Sequence, residues 1–387
     1  MKDLLHRFTW VSFLAVIKRY NVKNLYLQVL MPLIGLIHFL FDRRVLKCSL
    51  LLFAMIVFNL FNFITKDVPI SMVARLAQLT CIVCFMNFIY FHLNRRRLIF
   101  ILKAVSILSA VYFVSELIFV KPRFVFEFLD FKIPRYNFIV GEVNFSGALF
   151  FGLFIISNYL KERFLQIIFL SLSIATFSRG VFLALLFFGL CLFVRMYIPK
   201  LLYPLLVTSL ISVILYPLLI VGANYLFDEE TNRKITQKSG RYYLHAIYSI
   251  EGSQSLIGNG YFESKKKVHD YLKSYDKIFP WMHERLDDNE QHSIQVQVLS
   301  DFGILGYVFF SLFLILVALN IARKDVDLFI CLNSLLVIFS FLNGLSEWIF
   351  WFFLGLSLQG TEVKYLEWTS LSTWRKGLLL EKAIDNS

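Results

Sequence analysis

Charged residues are scarce in this chain of 387 residues: they make up 17% of it, against about 25% in an ordinary soluble domain. Hydrophobic residues make up 58%, and aromatic residues 17%. A single soluble domain cannot bury that much apolar surface, and disordered chains are polar and poor in aromatic residues. The composition therefore excludes both classes and predicts an all-α polytopic membrane protein.

The sequence also lacks a contiguous basic patch, although its formal net charge is +12. Nucleic-acid binding needs such a patch on an exposed surface. Here the lysines and arginines fall mostly in short loops between apolar runs, which is the distribution that membrane topology produces. We therefore expect no nucleic-acid partner.

Cysteine and metal-ligand patterns are sparse as well. Cys81 and Cys84 form a C-x-x-C inside an apolar run, which favours two small hydrophobic side chains over a redox or zinc pair. His283 and His292 stand too far apart in sequence for one helical face to present them as a chelate. We expect neither a bound metal nor a cofactor.

Apolar runs close to the length of a membrane helix, about 20 residues, recur along the chain. The clear runs are 25–41, 45–64, 70–93, 98–120, 138–160, 201–226, 294–320 and 328–345. The short or interrupted runs are 4–17, 164–177, 180–195 and 347–358. Together they predict about 12 transmembrane helices. If 4–17 lies at the membrane interface instead, the count is eleven and one terminus changes side.

The basic residues predict the orientation. With a cytoplasmic N-terminus, twelve of them fall in cytoplasmic loops and nine in the short outside loops, and the run at 95–97 dominates the difference. Both termini are then cytoplasmic. The predicted parts are helices 1 to 9 in 1–226, a large periplasmic loop of short helices in 227–293, helices 10 to 12 in 294–358, and a cytoplasmic tail in 359–387.

Segment 227–293 is the one long polar insertion, and the two halves of the chain show no internal repeat. Loops longer than about 15 residues are usually functional or disordered. This one is rich in aromatic residues, so we expect it to fold as a few short helices over the outer membrane face. The missing repeat argues against an inverted-repeat transporter.

The first polar placement that stands out is Ser178-Arg179-Gly180, between two short apolar runs. An arginine at membrane depth is costly unless it is paired. The planar guanidinium suits a phosphate, which makes Arg179 a candidate anion ligand. The alternative is an arginine that reaches the lipid headgroups and has no other role.

The second placement is Ser239-Gly240-Arg241, which opens an amphipathic segment, followed by Gly258 and Gly260. Two glycines so close together predict a flexible turn where the backbone can approach a ligand. The alternative is an ordinary helix and turn with a solvated arginine.

The third placement is His292, at the outer start of a span. A neutral imidazole there is able to accept a proton near neutral pH, although a single histidine at a membrane boundary is more often structural. Arg135, Glu142 and Arg285 lie on the same predicted side and are further candidates to line a cleft, together with the two glycines.

Taken in order, these pieces resemble the O-antigen polymerase and O-antigen ligase superfamily. The resemblance rests on the S-R-G at 178–180, the S-G-R at 239–241, the G-x-G-Y at 258–261 and the H-S-x-x-x-x-x-L-x-x-x-G-x-x-G at 292–306. It extends by architecture over roughly 70–360, including the apolar segment 343–356. One departure is Ser293, where the family often has asparagine.

The resemblance implies a metal-independent, GT-C-like membrane glycosyltransferase whose donor is an oligosaccharide on undecaprenyl diphosphate. It implies that Arg179 and Arg241 hold the diphosphate and that His292 is the general base. The site would face the periplasm from the bacterial inner membrane, among membrane lipid. A chain-length regulator and a flippase are implied as partners.

Three functions stay open at this stage. Polymerisation of lipid-linked repeat units into O-antigen or a related surface polysaccharide is favoured, because the motifs are faint and polymerases vary more in sequence. The second is an O-antigen ligase, which transfers the polymer to the lipid A core. The third is a flippase or exporter of lipid-linked sugars, which would not be an enzyme.

Overall fold

The chain is helical in its body, as the composition predicts. The computed structural model describes residues 21–22, 25–26, 44–65, 70–119, 124–128, 131–135, 143–226, 240–260, 293–342, 348–359 and 365–367. Within these residues the helices are α1 Ser49–Thr65, α2 Ile70–His92, α3 Arg95–Phe119, α4 Val143–Tyr159, α5 Arg163–Ala175, α6 Arg179–Tyr197, α7 Pro199–Leu226, α8 Gly240–Ser253, α9 Ile294–Lys324, α10 Val326–Phe339 and α11 Trp348–Leu358.

In the described part of the chain, three antiparallel two-stranded ladders accompany the helices. The first pairs β1 (Asn21–Val22) with β2 (Leu25–Tyr26), and the second pairs β3 (Arg44–Leu46) with β6 (Tyr365–Glu367). The third pairs β4 (Phe124–Phe128) with β5 (Phe131–Arg135). The pairing of β3 with β6 joins the predicted tail to the residues just before α1.

One predicted span needs correction at its start. The apolar run 25–41 predicts a helix from Leu25, but Leu25–Tyr26 form a strand that pairs with Asn21–Val22. The reason is local: the two short strands pair with each other through their backbone groups, which apolar composition alone does not reveal. The rest of that run and the run 4–17 lie outside the described residues.

The run 45–64 likewise begins in β3, and its helix starts only at Ser49. The remaining described runs coincide with helices. By length and composition, five helices among the described residues are able to cross a membrane: Met72–His92, Leu98–Phe119, Arg179–Tyr197, Pro199–Ala223 and Ile294–Lys324. Shorter apolar helices are Ser49–Asn62, Arg163–Ala175, Val326–Phe339 and Ile349–Leu358. The total of twelve spans stays a prediction.

Large apolar side chains on the outside of the bundle fit a lipid environment. Val111, Leu186 and Leu219, on α3, α6 and α7, are each more than half exposed. Such side chains in contact with water would be unfavourable, whereas lipid removes that cost. The described body is therefore that of a multi-pass membrane protein.

Short connections make successive helices run in opposite directions and give the bundle two ends. We call one the basic end; it holds the connections after α2, α4, α6 and α9. Arg95 there donates to the carbonyl of Leu160 at 3.0 Å, and Arg195 forms an ion pair with Asp327. We call the other the loop end; it holds residues 176–178 and the start of α9.

Candidate functional site

Helix α9 is broken within the membrane body. Gly303 has φ 68° and ψ −167°, a conformation outside the helical region, and the helix continues on both sides of it. Every residue from Ser293 to Gly303 is buried, including the polar side chains of the first half. A break of this kind is tolerated at membrane depth only where protein surrounds it.

The segment after α8 supplies the backbone partners that the break releases. In an unbroken helix Ile304 N would donate to Ser300 O, and Leu305 N to Asp301 O. Instead the two amides donate to Ser255 O and Leu256 O, at 3.1 and 3.0 Å.

The two released carbonyls find new donors in the same segment. Asn259 N donates to Ser300 O at 3.2 Å, and Gly260 N donates to Asp301 O at 3.0 Å. The exchange therefore satisfies both donors and both acceptors, each of which would cost several kcal/mol if left unpaired in hydrocarbon.

Two asparagines of α1 complete this junction. Asn59 Nδ2 donates to Asp301 O at 2.8 Å and to Ile257 O at 3.3 Å. Asn62 Nδ2 donates to Ile257 O at 3.0 Å. We call residues 255–260, the α9 break at 300–305 and the two asparagines the junction. It connects the start of the chain, the polar insertion and α9.

Gly258 of the junction must be glycine for two reasons: its φ is positive, and there is no space for a Cβ beside the α9 backbone. Gly258 has φ +77°, and a Cβ there would collide with the backbone of Asp301 and Gly303. Gly260 also has positive φ, 101°. Gly258 therefore approaches the α9 backbone, whereas the sequence predicts an approach to a ligand; a ligand contact of the two glycines stays a prediction.

Helix α8 packs against the broken part of α9. A Cβ on Gly252 of α8 would lie 2.7 Å from Ser300 Cα, and Ser255, two residues after the end of α8, accepts from Ile304 N. Arg241 lies in the first turn of α8.

Arg179 lies at the loop end, at the first position of α6, and is exposed. The residue before it, Ser178, donates from Oγ to Asn144 Oδ1 at 3.1 Å, which ties the start of α6 to the start of α4. Gly147 permits this approach, since a Cβ there would lie 3.0 Å from Ser178 Cβ.

The end of α10 connects the start of α6 with the start of α9. A Cβ on Gly180 would lie 3.5 Å from Ile338 Cγ1, and Gln295 Nε2 donates to Ser340 Oγ at 3.4 Å. Ser293, the N-cap of α9, donates from Oγ to Gln295 Oε1 at 2.8 Å. The structure therefore brings the S-R-G segment and the residues directly after His292 to the same end of the bundle.

The starts of α4, α6 and α9 share the loop end, which has an electrostatic consequence. Each helix start carries unpaired N–H groups and the positive end of the helix dipole, both of which favour an anion. The basic side chains of the helix connections lie at the basic end, about one membrane thickness away. Among the described residues, no group of three or more histidine, cysteine, aspartate or glutamate side chains could hold a metal.

The structure describes some of the predicted site residues fully, some by their backbone alone and some not at all. Arg179, Gly258 and Gly260 are described in full, whereas for Arg241 and Arg135 the structure describes the backbone, in α8 and β5. The remaining predicted residues, Glu142, Arg285 and His292, lie outside the described residues.

Several buried or half-buried polar residues near the site were not singled out from the sequence. Tyr216 of α7 and His245 of α8 form a hydrogen bond between Oη and Nδ1 at 2.7 Å, and both junction asparagines belong here too. Two asparagines spaced by three within an apolar run were the available signal, because polar amides inside a membrane helix are costly and usually have a role.

Comparison with known proteins supports the resemblance. Residues 164–311 match the family model described as O-antigen ligase. The match covers less than half of the chain, contains Arg179, Arg241, Gly258 and His292, and supports the O-antigen polymerase and ligase superfamily without distinguishing the two enzymes. No curated protein and no solved structure matches the chain significantly.

Replacing Gly258 tests the junction. We expect Gly258→Ala to lower stability by about 1–3 kcal/mol, because alanine is strained at this positive φ and its Cβ meets backbone. The measurement is the thermal midpoint of the detergent-solubilised protein. Gly189→Ala is the control: its Cβ meets nothing within 4 Å, so it should leave the midpoint unchanged or raise it. An unchanged midpoint in Gly258→Ala would contradict the packing described here.

Proposed function

We propose that this protein, as a relative of O-antigen ligases over residues 164–311, polymerises oligosaccharide repeat units carried on undecaprenyl diphosphate. It would transfer a growing glycan chain from its lipid carrier to the next lipid-linked unit, at the periplasmic face. The observation that carries the proposal is the meeting of the α6 and α9 starts at one end, because Arg179 and the neighbour of His292 occupy them.

The reaction needs little more than charge neutralisation and a base. A hydroxyl of the acceptor sugar attacks the anomeric carbon of the donor, and the bond from that carbon to the diphosphate oxygen breaks. The hydroxyl proton goes to the base, the bonding pair leaves with the diphosphate, and the glycan gains one glycosidic bond.

Arg179 and Arg241 are the residues we assign to the diphosphate. Their forked donors match phosphate oxygens, and a hydrogen bond to a charged group contributes about 1.5–3 kcal/mol. The helix starts beside them add to the positive potential. Charge that develops on the leaving diphosphate is thereby stabilised without a metal ion.

His292 is the residue we assign as general base, directly before the N-cap Ser293. Proton transfer to a positioned histidine contributes about 10²- to 10⁴-fold to a rate. The carried-over role rests on the superfamily motif, because His292 itself lies outside the described residues.

The distribution of charge supports the proposed orientation of the site. Arginine and lysine at the basic end favour the cytoplasmic side by the positive-inside rule. The loop end, with the polar insertion, would then face the periplasm in the bacterial inner membrane. We propose on the same grounds that a flippase delivers the lipid-linked units and that a chain-length regulator acts with the enzyme.

A ligase is the second candidate, since the matched family is described as O-antigen ligase. The same two arginines and histidine would serve, because the donor is again a glycan on a lipid diphosphate. Only the acceptor would differ, a hydroxyl of the lipid A core in place of the next repeat unit.

Deletion of the gene separates the candidates. We expect the surface lipopolysaccharide on a gel to show core with a single repeat and no ladder, because export and ligation continue without polymerisation. Bare core with long polymer left on the lipid carrier would identify a ligase instead. An unchanged ladder would contradict both assignments for that glycan.

In the complemented deletion strain, we expect His292→Ala to reduce polymer by at least about a hundredfold, since it removes the base. The amount of protein in the membrane should not change. His269→Ala, which alters another histidine of the same polar insertion, serves as the control and should leave the ladder intact. Full activity of His292→Ala would refute the assignment of the base.

Arg241→Lys tests the diphosphate assignment. Lysine keeps the charge and loses the fork, so we expect the rate to fall about ten- to a hundredfold. The measurement is the initial rate on lipid-linked units extracted from the deletion strain. Arg323→Lys at the basic end is the matched control and should retain the wild-type rate; equal rates for the two variants would count against a role for Arg241.

A further inference from the structure

One buried amide side chain has no hydrogen-bond partner in the described structure and no role in the reaction proposed above. Gln297 of α9 is 0% exposed, and both its Nε2 and its Oε1 lack a hydrogen-bond partner in the described structure. Its neighbour Gln295, in contrast, is paired at both amide atoms, with Ser340 and Ser293. A buried amide without partners costs about 1–3 kcal/mol, so its presence needs a reason.

The position of Gln297 is directly below the loop end. It lies one helical turn after Ser293, on the face of α9 that also carries Ser293 and Asp301. The segment that contains it is buried over its whole length and ends at the junction. Along this face from the start of α9, Gln297 is the first side chain without a hydrogen-bond partner among the described residues.

A second unsatisfied amide atom lies at the same level on α1. The two helices run antiparallel, since Met55 of α1 lies beside Gly306 and Asn59 bonds Asp301. Three residues beyond Asn59 is Asn62, and the matching level on α9 is that of Gln297. Asn62 is 0% exposed, its Nδ2 is held by Ile257 O, and its Oδ1 has no partner among the described residues.

These amides have the chemistry that sugar recognition needs. A sugar hydroxyl donates one hydrogen bond and accepts others, and a carboxamide offers a donor and an acceptor side by side. Neither amide carries charge, so the pair does not suit the diphosphate. We infer that Gln297, together with Asn62 Oδ1 at the same height on α1, binds hydroxyl groups of the lipid-linked oligosaccharide. This inference rests on the proposed function.

The test compares Gln297→Met with wild type in the extracted-lipid assay. Methionine has a similar length and no hydrogen-bonding amide, so packing is conserved. We expect KM for the lipid-linked repeat to rise about three- to tenfold, the loss of one or two neutral hydrogen bonds. The turnover number should change less than KM, and the thermal midpoint without substrate should not fall, because the native amide atoms are unpaired.

Asn333→Leu is the matched control for removal of a buried amide. Asn333 of α10 is also 0% exposed, and its Oδ1 likewise has no partner within the described part of the chain. It is held by its own helix through Phe329 O at 3.0 Å. We expect wild-type KM for this variant. An unchanged KM in Gln297→Met, or an equal rise in both variants, would overturn the inference.

Binding without turnover keeps the inference testable apart from the proposed function. The probe is the repeat oligosaccharide released by mild acid from the lipid extract of the deletion strain. It should raise the thermal midpoint of wild-type protein and of His292→Ala, but not that of Gln297→Met. If Gln297→Met does not accumulate in the membrane, Gln297→Asn takes its place. It keeps the amide on a shorter side chain, so the oligosaccharide should raise its thermal midpoint less than that of wild type. Equal responses of wild type and both Gln297 variants would refute sugar binding here. Full activity of His292→Ala, in contrast, would refute only the assignment of the base.

Discussion

The break in α9 is the constraint on which the rest of the site depends. A membrane helix cannot leave backbone groups unpaired in hydrocarbon, so the interruption at Gly303 requires donors and acceptors from elsewhere. The segment 255–260 provides them, and Asn59 adds a side-chain amide. Because these partners come from distant parts of the sequence, closing the break also fixes where α1, α8 and α9 lie relative to one another.

The two ends of the bundle differ in their polar groups in the described structure. The basic end concentrates arginine and lysine near helix connections, and ion pairs such as Arg195 with Asp327 occupy it. The loop end instead gathers helix starts, Arg179 and buried amides. Such an arrangement suits a lipid-linked anion approaching from one side of the membrane, with sugars directed inward toward uncharged polar groups.

The helical runs could be read from the sequence because hydrophobic length is a local property. Apolar runs located α2, α3, α6, α7 and α9, and the split at 176–178 separated α5 from α6 as expected. The strand at Leu25–Tyr26 could not be read this way, since pairing between short segments leaves little trace in composition. The motif residues Arg179 and Gly258 were identified as notable, but the asparagines that pack beside them were not. Asn144 bonds Ser178 and Asn59 bonds Ile257, and both are ordinary polar residues until packing makes them significant.

By itself, the sequence determined the membrane class, most helix positions, the side on which basic residues gather and a resemblance that the match over 164–311 supports. These depend on composition, length and short motifs, all of which are encoded locally. Only the tertiary structure decided that Gly258 packs on a broken helix, that α8 packs against that helix, and that the S-R-G segment shares an end with Ser293. Those facts depend on hydrogen bonds and contacts between residues as many as 242 positions apart, which no local pattern specifies.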